Sequence, residues 1–278
     1  MRVAILTPAP DFWEAWAWAY DVEADALRRN GIEVEPRPWT EPGELEGFDV
    51  VMPLVAWGYH FEPPRWHALL DRLEGEGRKV LNPVPLLRWN SDKRYLAELG
   101  RKGIAVIPTR IAEQLDAAAM AEAHAEYGEE LVIKPPISAS ADGTHRVRLR
   151  DPIPEDSLGR AMMIQPFLRS VAEEGEYSIM LFGGEYSHAI VKRPKAGDYR
   201  VQPHLGGTEQ PCSPPPGSIE LAKAALAAAP AKAAYARVDM VRDAAGALAI
   251  IELELIEPSL WLQHAPDGGA AFVRAVTV

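Results

Sequence analysis

Two glutamates alternate with apolar residues in the stretch that decides the fold, Ile250-Ile251-Glu252-Leu253-Glu254-Leu255-Ile256-Glu257-Pro258. Residues two apart on a β-strand point to the same face, so Glu252 and Glu254 project together. Two carboxylates in an apolar strand repel each other and lose hydration unless a cation lies between them. Oxygen ligands of this kind suit Mg²⁺. The pattern predicts a metal-binding strand, and a half-exposed acidic edge strand is the alternative.

A third carboxylate favours the metal-binding interpretation. Asp239 lies among apolar residues of a predicted strand at 235–241, which a turn at 243–246 joins to the strand at 247–256. Strands joined by so short a turn are expected to pair as antiparallel neighbours. We therefore expect Asp239, Glu252 and Glu254 to act as one metal-ligating set.

A lysine leaves another predicted strand, at 131–134, and enters a loop of small residues. Lys134 is followed by Ser138, Ser140 and Gly143 within that loop. A lysine in this position can contact a polyphosphate while the backbone N–H groups of the loop close over it. The loop lacks the Walker A pattern, so the chain is not a P-loop protein. For Lys134 taken alone, a solvated lysine before a flexible loop is the more common explanation.

Two further segments are candidates for anion and nucleotide binding. The first contains Lys192, Arg193, Arg200 and the pair Gly206-Gly207. Arginine grips carboxylates and phosphoryl oxygens with parallel hydrogen bonds, and a diglycine lets backbone amides approach an anion. A solvated basic cluster explains the same residues equally well.

The second segment is the exit of a predicted strand at 162–167. Gln165-Pro166-Phe167-Leu168 can offer backbone groups to an adenine. Glu173 and Glu176 beyond it can offer a carboxylate to a ribose. As an isolated feature this segment does not identify a nucleotide site.

Predicted strands and helices alternate in the N-terminal third of the chain. The strands are expected at 3–6, 32–36, 49–54 and 79–83, and the helices at 14–29 and 64–76. The order βαβ…βα predicts a small parallel-sheet lobe. A helix at 89–99, capped by Asn90 or Ser91, is expected to follow it.

Beyond residue 131 the pattern changes to strands and turns. A strand is expected at 146–149, a hairpin at 176–182 and 185–191 around Gly183-Gly184, and a helix at 218–229. Two strands flanking a short glycine turn are typical of a hairpin. The change indicates a different lobe of α+β type.

Composition limits the class of protein. Of the 278 residues, 47% are hydrophobic and 25% charged, the balance of a soluble globular protein. No stretch approaches the roughly 18 uncharged apolar residues of a membrane helix, and residues 1–7 fit a strand rather than a signal peptide, so we expect a cytoplasmic protein. The net charge of −11 argues against a dominant nucleic-acid-binding role, and the single Cys212 excludes an intrachain disulfide.

The order of these features resembles the ATP-grasp superfamily from about residue 3 to residue 260. Residues 90–96 (Asn90-Ser91-Asp92-Lys93-Arg94-Tyr95-Leu96) and 103–109 are similar to its Asp-Lys helix and the strand that follows. Residues 132–135 resemble its second lysine strand, residues 164–168 its hinge, and Asp239 with Glu252-Leu253-Glu254 its metal set.

The resemblance implies an α/β fold with α+β lobes, the ATP-grasp fold. An N-terminal parallel-sheet substrate lobe would occupy residues 1–88 and a central ATP-grasp lobe residues 89–168. A C-terminal ATP-grasp lobe with the metal site would occupy residues 169–278. ATP would lie in the cleft between the two ATP-binding lobes.

The resemblance also implies roles for individual residues, with ATP and two Mg²⁺ as cofactors. ATP would be bound by Lys93, Lys134, Ser138, Ser140, Gly143, Gln165, Phe167, Leu168, Lys192, and either Glu176 or Glu173. Asp239, Glu252 and Glu254 would hold the metals, with Glu254 standing where the superfamily usually has Asn. Arg193 and Arg200 would grip an acyl phosphate as catalytic residues.

The activity implied is that of an ATP-dependent carboxylate–amine ligase, similar to glutathione synthetases and ribosomal-protein glutamate ligases. A substrate carboxylate would attack the γ-phosphate, and an amine would capture the acyl phosphate with release of ADP and phosphate. Residues 89–93 and 252–260 are most similar to stand-alone ligases that include the D-cycloserine-forming cyclase.

Three alternatives stay open: a cyclase of that type, an enzyme that activates bicarbonate or a urea, and a non-catalytic nucleotide-binding module. The retained lysines and carboxylates argue against the last of these.

Substrate recognition is expected at the strand ends of the N-terminal lobe, where ligands of open α/β sheets bind. Asp11, Trp57 and Tyr59 are candidates there, and Gly206 and Gly207 of the C-terminal lobe are further substrate candidates. We expect a small amino-acid-like substrate and a homo-oligomer such as a dimer, with neither nucleic acid nor membrane as partner.

A cluster of Trp13, Trp16 and Trp18 lies in the same lobe. It is as compatible with core or dimer packing as with a substrate site.

Overall fold

Three β-sheets organise the part of the chain that the computed structural model describes, residues 1–202 and 205–277. The strands are β1 Arg2–Thr7, β2 Glu33–Pro38, β3 Val50–Met52, β4 Arg110–Ala112, β5 Glu130–Lys134, β6 His145–Arg148, β7 Met162–Pro166, β8 Glu176–Phe182, β9 Glu185–Arg193, β10 Thr208–Pro211, β11 Tyr235–Arg242 and β12 Leu248–Glu254. The helices are α1 Ala17–Arg28, α2 Pro63–Gly75, α3 Val84–Asn90, α4 Tyr95–Arg101, α5 Ala117–Tyr127, α6 Ser170–Glu173, α7 Ser218–Ala228 and α8 Ala270–Thr277.

The first sheet is parallel, in the order β2-β1-β3. Val3 and Ile5 of β1 pack in a core with α1, whereas Ala4 and Leu6 pack in a second core with α2. Helices on both sides bury a central parallel strand completely, which explains why β1 is apolar at consecutive positions. The predicted parallel-sheet lobe is confirmed.

The other two sheets are antiparallel, in the orders β4-β7-β5-β6 and β10-β9-β8-β11-β12. The predicted hairpin is confirmed by β8 and β9, which turn at Gly183 (φ 59°) and Gly184 (φ 83°). Positive φ at both positions is the conformation that two-residue hairpins favour and that glycine adopts without strain. Strands β11 and β12 also pair as predicted.

The predicted helix at 89–99 is not continuous, because residues 89–90 end α3, residues 95–99 belong to α4, and the chain breaks between them. Neither proposed cap acts as one. Asn90 Nδ2 donates to the Leu253 carbonyl (2.9 Å), and the Leu255 N–H donates to Asn90 Oδ1 (3.0 Å). Ser91 Oγ accepts from Trp66 Nε1 (2.9 Å). Both side chains therefore satisfy buried groups of distant elements.

Other boundaries differ from the predictions. The helix expected at 14–29 begins at Ala17, and the strand expected at 79–83 is reduced to an isolated bridge between Val51 and Val80. Five of these strands and helices lie wholly outside the predicted elements, namely β4, α5, α6, β10 and α8, and most of α3 does too. Helix α5 had a signal, because Asp116 accepts the Ala119 N–H (2.8 Å) as an N-cap. None of the helices within residues 1–202 and 205–277 could span a membrane.

Helix α4 packs on the five-stranded sheet, although the predicted boundaries assign it to the central lobe. Tyr95, Leu96 and Leu99 share one core with residues of β8, β11 and β12. The Tyr95 hydroxyl accepts the Leu253 N–H (2.8 Å) and donates to the Leu253 carbonyl (3.0 Å). The divisions after residues 88 and 168 stay predictions.

Helix α1 buries a carboxyl group. Glu23 is 4% exposed, and its carboxyl accepts a hydrogen bond from the backbone of Leu260. Its Oε2 atom has no hydrogen-bond partner among the residues described. Burial raises the pKa of Glu23 to about 8, because the charged form loses its hydration. Glu23 is therefore mainly protonated in the folded protein at neutral pH.

We expect Glu23 to make the folded protein less stable as the pH rises. The folded state keeps this proton up to about pH 8, whereas the unfolded chain releases it near 4.5, so the stabilisation is complete below 4.5 and lost between these values. Glu23→Gln keeps a hydrogen-bond acceptor but cannot ionise. Urea unfolding at both ends of this range measures the free energy of unfolding of Glu23→Gln minus that of the wild type. This difference should increase by about 4 kcal/mol as the pH rises across the range.

The matched control is Glu220→Gln at an exposed position of α7, which should leave the pH profile of the wild type unchanged. A Glu23→Gln difference that is the same at both ends of the range would contradict the assignment of a buried acid.

Candidate active site

A cavity of about 950 Å³ is lined by residues of the two antiparallel sheets, by loops and by part of α1, and its lining includes three groups of residues. Apolar residues are Ile107, Val132, Phe167, Leu168, Val171 and Ile251. Charged residues and the small-residue loop are Lys93, Lys134, Ser138, Ala139, Ser140, Ala141, Glu176, Lys192, Arg237, Glu252 and Glu254. A third group, here called the tryptophan–glutamate wall, consists of Glu14, Trp18, Trp57, Glu209, Glu257, Ser259 and Trp261.

Two buried lysines, both predicted to contact ATP phosphates, line the cavity. Lys93 Nζ lies 2.9 Å from Glu252 Oε1 and donates to the Ser138 carbonyl. Burial lowers the pKa of Lys93, but the Glu252 carboxylate outweighs this and raises it above the ordinary value. The Lys134 ammonium group makes no hydrogen bond or ion pair with the residues that the structure describes, and burial lowers its pKa. An anion in the cavity would restore the charge balance that Lys134 lacks.

The small-residue loop is fastened to the first lysine. The Lys93 N–H donates to the Pro136 carbonyl (2.8 Å). Ser140 (φ 52°) and Ala141 (φ 62°) are held in the left-handed region, which residues other than glycine seldom adopt. Ser138 and Ser140 line the cavity, and Gly143 lies outside the lining. The Pro136 and Ser138 carbonyls hold the start of the loop against Lys93.

The predicted hinge lies along the apolar part of the cavity. Gln165 and Phe167 line it, as does Leu168. Gln165 Nε2 donates to Thr109 Oγ1 (2.9 Å), and the Cζ of Arg146 stacks 3.8 Å from the centre of the Phe167 ring. Glu176 also lines the cavity, whereas Glu173 is exposed on α6 and lies outside the lining.

The three predicted metal ligands share one face of β11 and β12. Asp239 lies opposite Glu252, and Arg237 lies opposite Glu254. Ser178 Oγ donates to Asp239 Oδ1 (2.6 Å). Side chains directly opposite on antiparallel strands are close enough to interact strongly, and like charges there repel. The arrangement therefore requires cations.

The cations come from the protein itself. Lys192 Nζ lies 3.0 Å from Asp239 Oδ2 and also pairs with Glu176. Arg237 donates to Asp239 (3.0 Å) and to Glu254. Burial raises the pKa of Asp239, but the charges of Arg237 and Lys192 outweigh it and hold that pKa well below its usual range. Burial raises the pKa of Glu254, and the Arg237 guanidinium beside it opposes that rise.

Hard oxygen donors on one strand face fit Mg²⁺ chemically. Within residues 1–202 and 205–277, no three His, Cys, Asp or Glu residues are grouped so as to hold a metal ion by themselves. Asp239 and Glu254 both hold Arg237, and Glu252 holds Lys93. The metal set stays a prediction, and binding a metal would require these carboxylates to exchange partners.

The structure separates the two arginines expected to be catalytic. Arg200 lines the cavity and pairs with Asp198 (3.0 Å), whereas Arg193 is exposed and lies outside the lining. Side chains alternate along β9, so Lys192 points into the cavity and its neighbour points away. Arg237, which the sequence analysis did not single out, is the buried arginine of the site. Its spacing of two residues from Asp239 was a usable signal.

The expected substrate residues also divide. Trp57 and Tyr59 line the cavity, and Asp11 is exposed outside it. Gly206 and Gly207 lie outside the lining as well. A Cβ on Gly207 would lie 2.1 Å from the Val201 carbonyl oxygen, so glycine here permits close packing of two backbone segments.

The tryptophan cluster is not a unit. Trp18 lines the cavity, 5.8 Å from the ring of Trp57, whereas Trp13 is 70% exposed and stacks on Phe12. Trp16 packs edge-on against Tyr20 in the core beside α1. Glu209, Glu257, Ser259 and Trp261 complete the tryptophan–glutamate wall, and the sequence analysis assigned none of them a role.

Comparison with known proteins gives consistent matches. Residues 3–82 match the family model of the N-terminal domain of D-cycloserine synthetase DcsG. The chain is 32% identical over 272 residues to the cycloserine biosynthesis protein DcsG of Streptomyces lavendulae, covering 91% of this chain and 90% of the relative. It is 31% identical to a glutathione synthetase of Prochlorococcus marinus over 71% of this chain and 67% of the relative.

The crystal structure of D-cycloserine synthetase DcsG has the same overall fold. It superposes with a TM-score of 0.84 and 30% identity, covering 99% of this chain and 98% of that chain. The similarity thus extends over all three sheets.

Lys134→Ala is expected to weaken the binding of MgATP by about 10- to 100-fold, because a charge-assisted hydrogen bond to a phosphate in a buried site is lost. Calorimetric titration of the wild type and the variant measures the change. Lys223→Ala is the control, since this lysine pairs with Glu185 at the surface. Equal MgATP affinity of Lys134→Ala and the wild type would rule out a phosphate contact.

Proposed function

The chain belongs to the ATP-grasp ligases, the family of D-cycloserine synthetase, and we propose that it joins a carboxylate to a nitrogen on a small amino-acid-like substrate through an acyl phosphate. Membership confirms the resemblance and the fold class predicted from the sequence. It also makes the chain an ADP-forming ligase that creates C–N bonds. What we propose beyond this is the class of substrate and the acyl-phosphate intermediate.

The observation that carries the proposal is the position of Arg237. This arginine is buried and lines the cavity between the carboxylates of β11 and β12 and the ring of Trp261. A guanidinium in such a position can grip both a substrate carboxylate and the phosphate transferred to it. Lys192 lies beside it and adds a second buried cation. We assign the acyl-phosphate grip to Arg237 and Lys192, with Arg200 nearer the rim of the cavity.

The buried cations of the cavity favour transfer of the γ-phosphoryl group of ATP to the substrate carboxylate. The substrate carboxylate attacks the γ-phosphorus of ATP, the bond to the leaving ADP oxygen breaks, and an acyl phosphate forms. Lys93 and Lys134 neutralise the charge on the transferring phosphoryl group. The loop containing Ser138 and Ser140 supplies backbone N–H groups, and Gln165, Phe167 and Leu168 hold the adenine.

Mg²⁺, when bound, would neutralise phosphate charge further. Asp239 and Glu252 fit a first ion. Glu254 would take part in a second ion only by releasing Arg237, because their ion pair occupies that carboxylate.

The tryptophan–glutamate wall fits a substrate that carries nitrogen. Its three carboxylates, Glu14, Glu209 and Glu257, can accept N–H groups, while Arg237 takes the carboxyl end. The nitrogen attacks the carbonyl carbon of the acyl phosphate, the C–O bond to phosphate breaks, and the nitrogen loses a proton. A C–N bond and free phosphate result.

Ring closure within one substrate is the second candidate. The similarity to the cycloserine biosynthesis protein DcsG favours it, because it extends over both the ATP-binding sheets and the N-terminal lobe. In this version, the carboxylate and the attacking nitrogen belong to the same molecule.

ADP release measured over a panel of D- and L-amino acids, with and without amine acceptors, tests the proposal. The panel should include amino acids with an aminooxy or ureido nitrogen on the side chain. We expect one amino acid to be required for ADP release, and hydroxylamine to trap its carboxyl group. Mass spectrometry separates ring closure from ligation, because only ligation adds the mass of an acceptor. Failure of every candidate to stimulate ADP release would contradict the proposed substrate class.

The carboxylates should differ in their effect on the requirement for Mg²⁺. We expect Asp239→Asn and Glu252→Gln to raise the Mg²⁺ concentration for half-maximal ADP release at least about tenfold, since each removes a charged oxygen ligand. Glu254→Gln should raise it less, because Glu254 is held by Arg237. Titration of Mg²⁺ at fixed ATP measures all three. An equal Mg²⁺ requirement for Glu252→Gln and the wild type would remove Glu252 from the metal set.

A further inference from the structure

Trp261 has a backbone conformation that bulky residues rarely adopt. Its φ of 44° and ψ of 46° lie in the left-handed region, and it is not a glycine. Such a conformation persists only when surrounding contacts hold it, and residues of this kind concentrate at functional sites. The Trp261 side chain lines the cavity.

The cause lies in the preceding residue, whose peptide groups are held from two sides. Glu23 of α1 accepts a hydrogen bond from the backbone of Leu260, and His188 Nε2 donates to the Leu260 carbonyl (2.9 Å). Because a carbonyl oxygen can only accept, the ring proton lies on Nε2, and Ser187 Oγ lies 2.9 Å from His188 Nδ1 on the other side of the ring. The Leu260 side chain is fully buried in the core beside α1. We call Glu23 and His188 the Leu260 clamp.

The consequence lies in the cavity. The Cζ atom of Arg237 lies 5.2 Å from the centre of the Trp261 ring, and Lys192 Nζ lies 5.9 Å from it. Trp261 Nε1 donates to Glu209 Oε2 (2.8 Å), which fixes the rotation of the indole. A tryptophan face attracts a desolvated guanidinium and restricts where it can lie. The function proposed above gives the clamp no role, and it uses Trp261 only as part of the tryptophan–glutamate wall.

We propose that Trp261 is a positioning residue that holds the Arg237 guanidinium at the reacting phosphate, and that the Leu260 clamp maintains the backbone conformation it needs. The proposal rests on the assignment of Arg237 to the acyl phosphate. It links α1 of the N-terminal lobe to the catalytic cations through contacts that involve no substrate.

A double-mutant cycle in the MgADP complex tests the link between Trp261 and Arg237, with inorganic phosphate as the probe of the anion position. We expect Trp261→Leu and Arg237→Lys each to weaken phosphate binding about tenfold. The double variant should be no weaker than Arg237→Lys alone, because Trp261 acts through Arg237. Trp261→Phe keeps an aromatic face and should stay within about threefold of the wild type.

Affinity for MgADP and the midpoint of thermal unfolding serve as controls, and Trp261→Phe keeps the test informative if Trp261→Leu does not fold. Losses that multiply in the double variant would overturn the proposal, as would unchanged phosphate affinity in Trp261→Leu. Absence of phosphate binding to the wild type would overturn it too. These outcomes do not depend on substrate, so they are distinct from a failure of the amino-acid panel.

Glu23→Gln and Glu23→Leu are a matched pair for the clamp. Glutamine can still accept the Leu260 N–H, whereas leucine leaves that N–H without an acceptor. The helix face at position 23 is buried and tolerates an apolar side chain. Phosphate affinity should fall about fivefold or more in Glu23→Leu and stay near that of the wild type in Glu23→Gln. Equal affinities in the two variants would show that the clamp does not control Trp261.

Discussion

The buried ion network around Arg237 is the interaction on which the site depends. Arg237 bridges Asp239 and Glu254 on one strand face, and Lys93 and Lys192 neutralise the carboxylates beside them. Removing one member would leave an unpaired charge buried away from water. The free-energy cost of that charge is far larger than the free energy by which the intact network stabilises the fold. The cavity wall is consequently determined by charge balance as much as by packing.

This network requires one register between the last two strands. Asp239 lies opposite Glu252, and Arg237 opposite Glu254. A slip of one residue would turn every one of these side chains to the other face of the sheet. Asn90 and Tyr95 bind backbone groups of β12 from outside the sheet and help to hold that register. The break between α3 and α4 is therefore tied to the geometry of the active site.

Most charges of the site are already neutralised by ion pairs within the protein, so a ligand must exchange partners with them. The carboxylates already hold cations and Lys93 already holds a carboxylate, so bound ATP and metal would exchange partners within the network. Lys134 differs, since it makes no ion pair with the residues described. We infer that Lys134 senses the arriving phosphate most directly. The other cations must first be released from their carboxylates.

The sequence by itself determined the parallel-sheet lobe, the hairpin, and the cavity residues Lys134, Glu252 and Glu254, whereas Lys93 came from the family resemblance. Local patterns suffice for these features, because alternation along a strand and turn chemistry depend on neighbouring residues. Only the tertiary structure decided that Arg237 rather than Arg193 is the buried arginine, that Asn90 holds β12, and that Trp261 faces the cations. These choices rest on contacts between distant segments, such as Asn90 with Leu253, 163 residues apart. No local pattern specifies such contacts, since burial is decided by what the rest of the chain packs against each side chain.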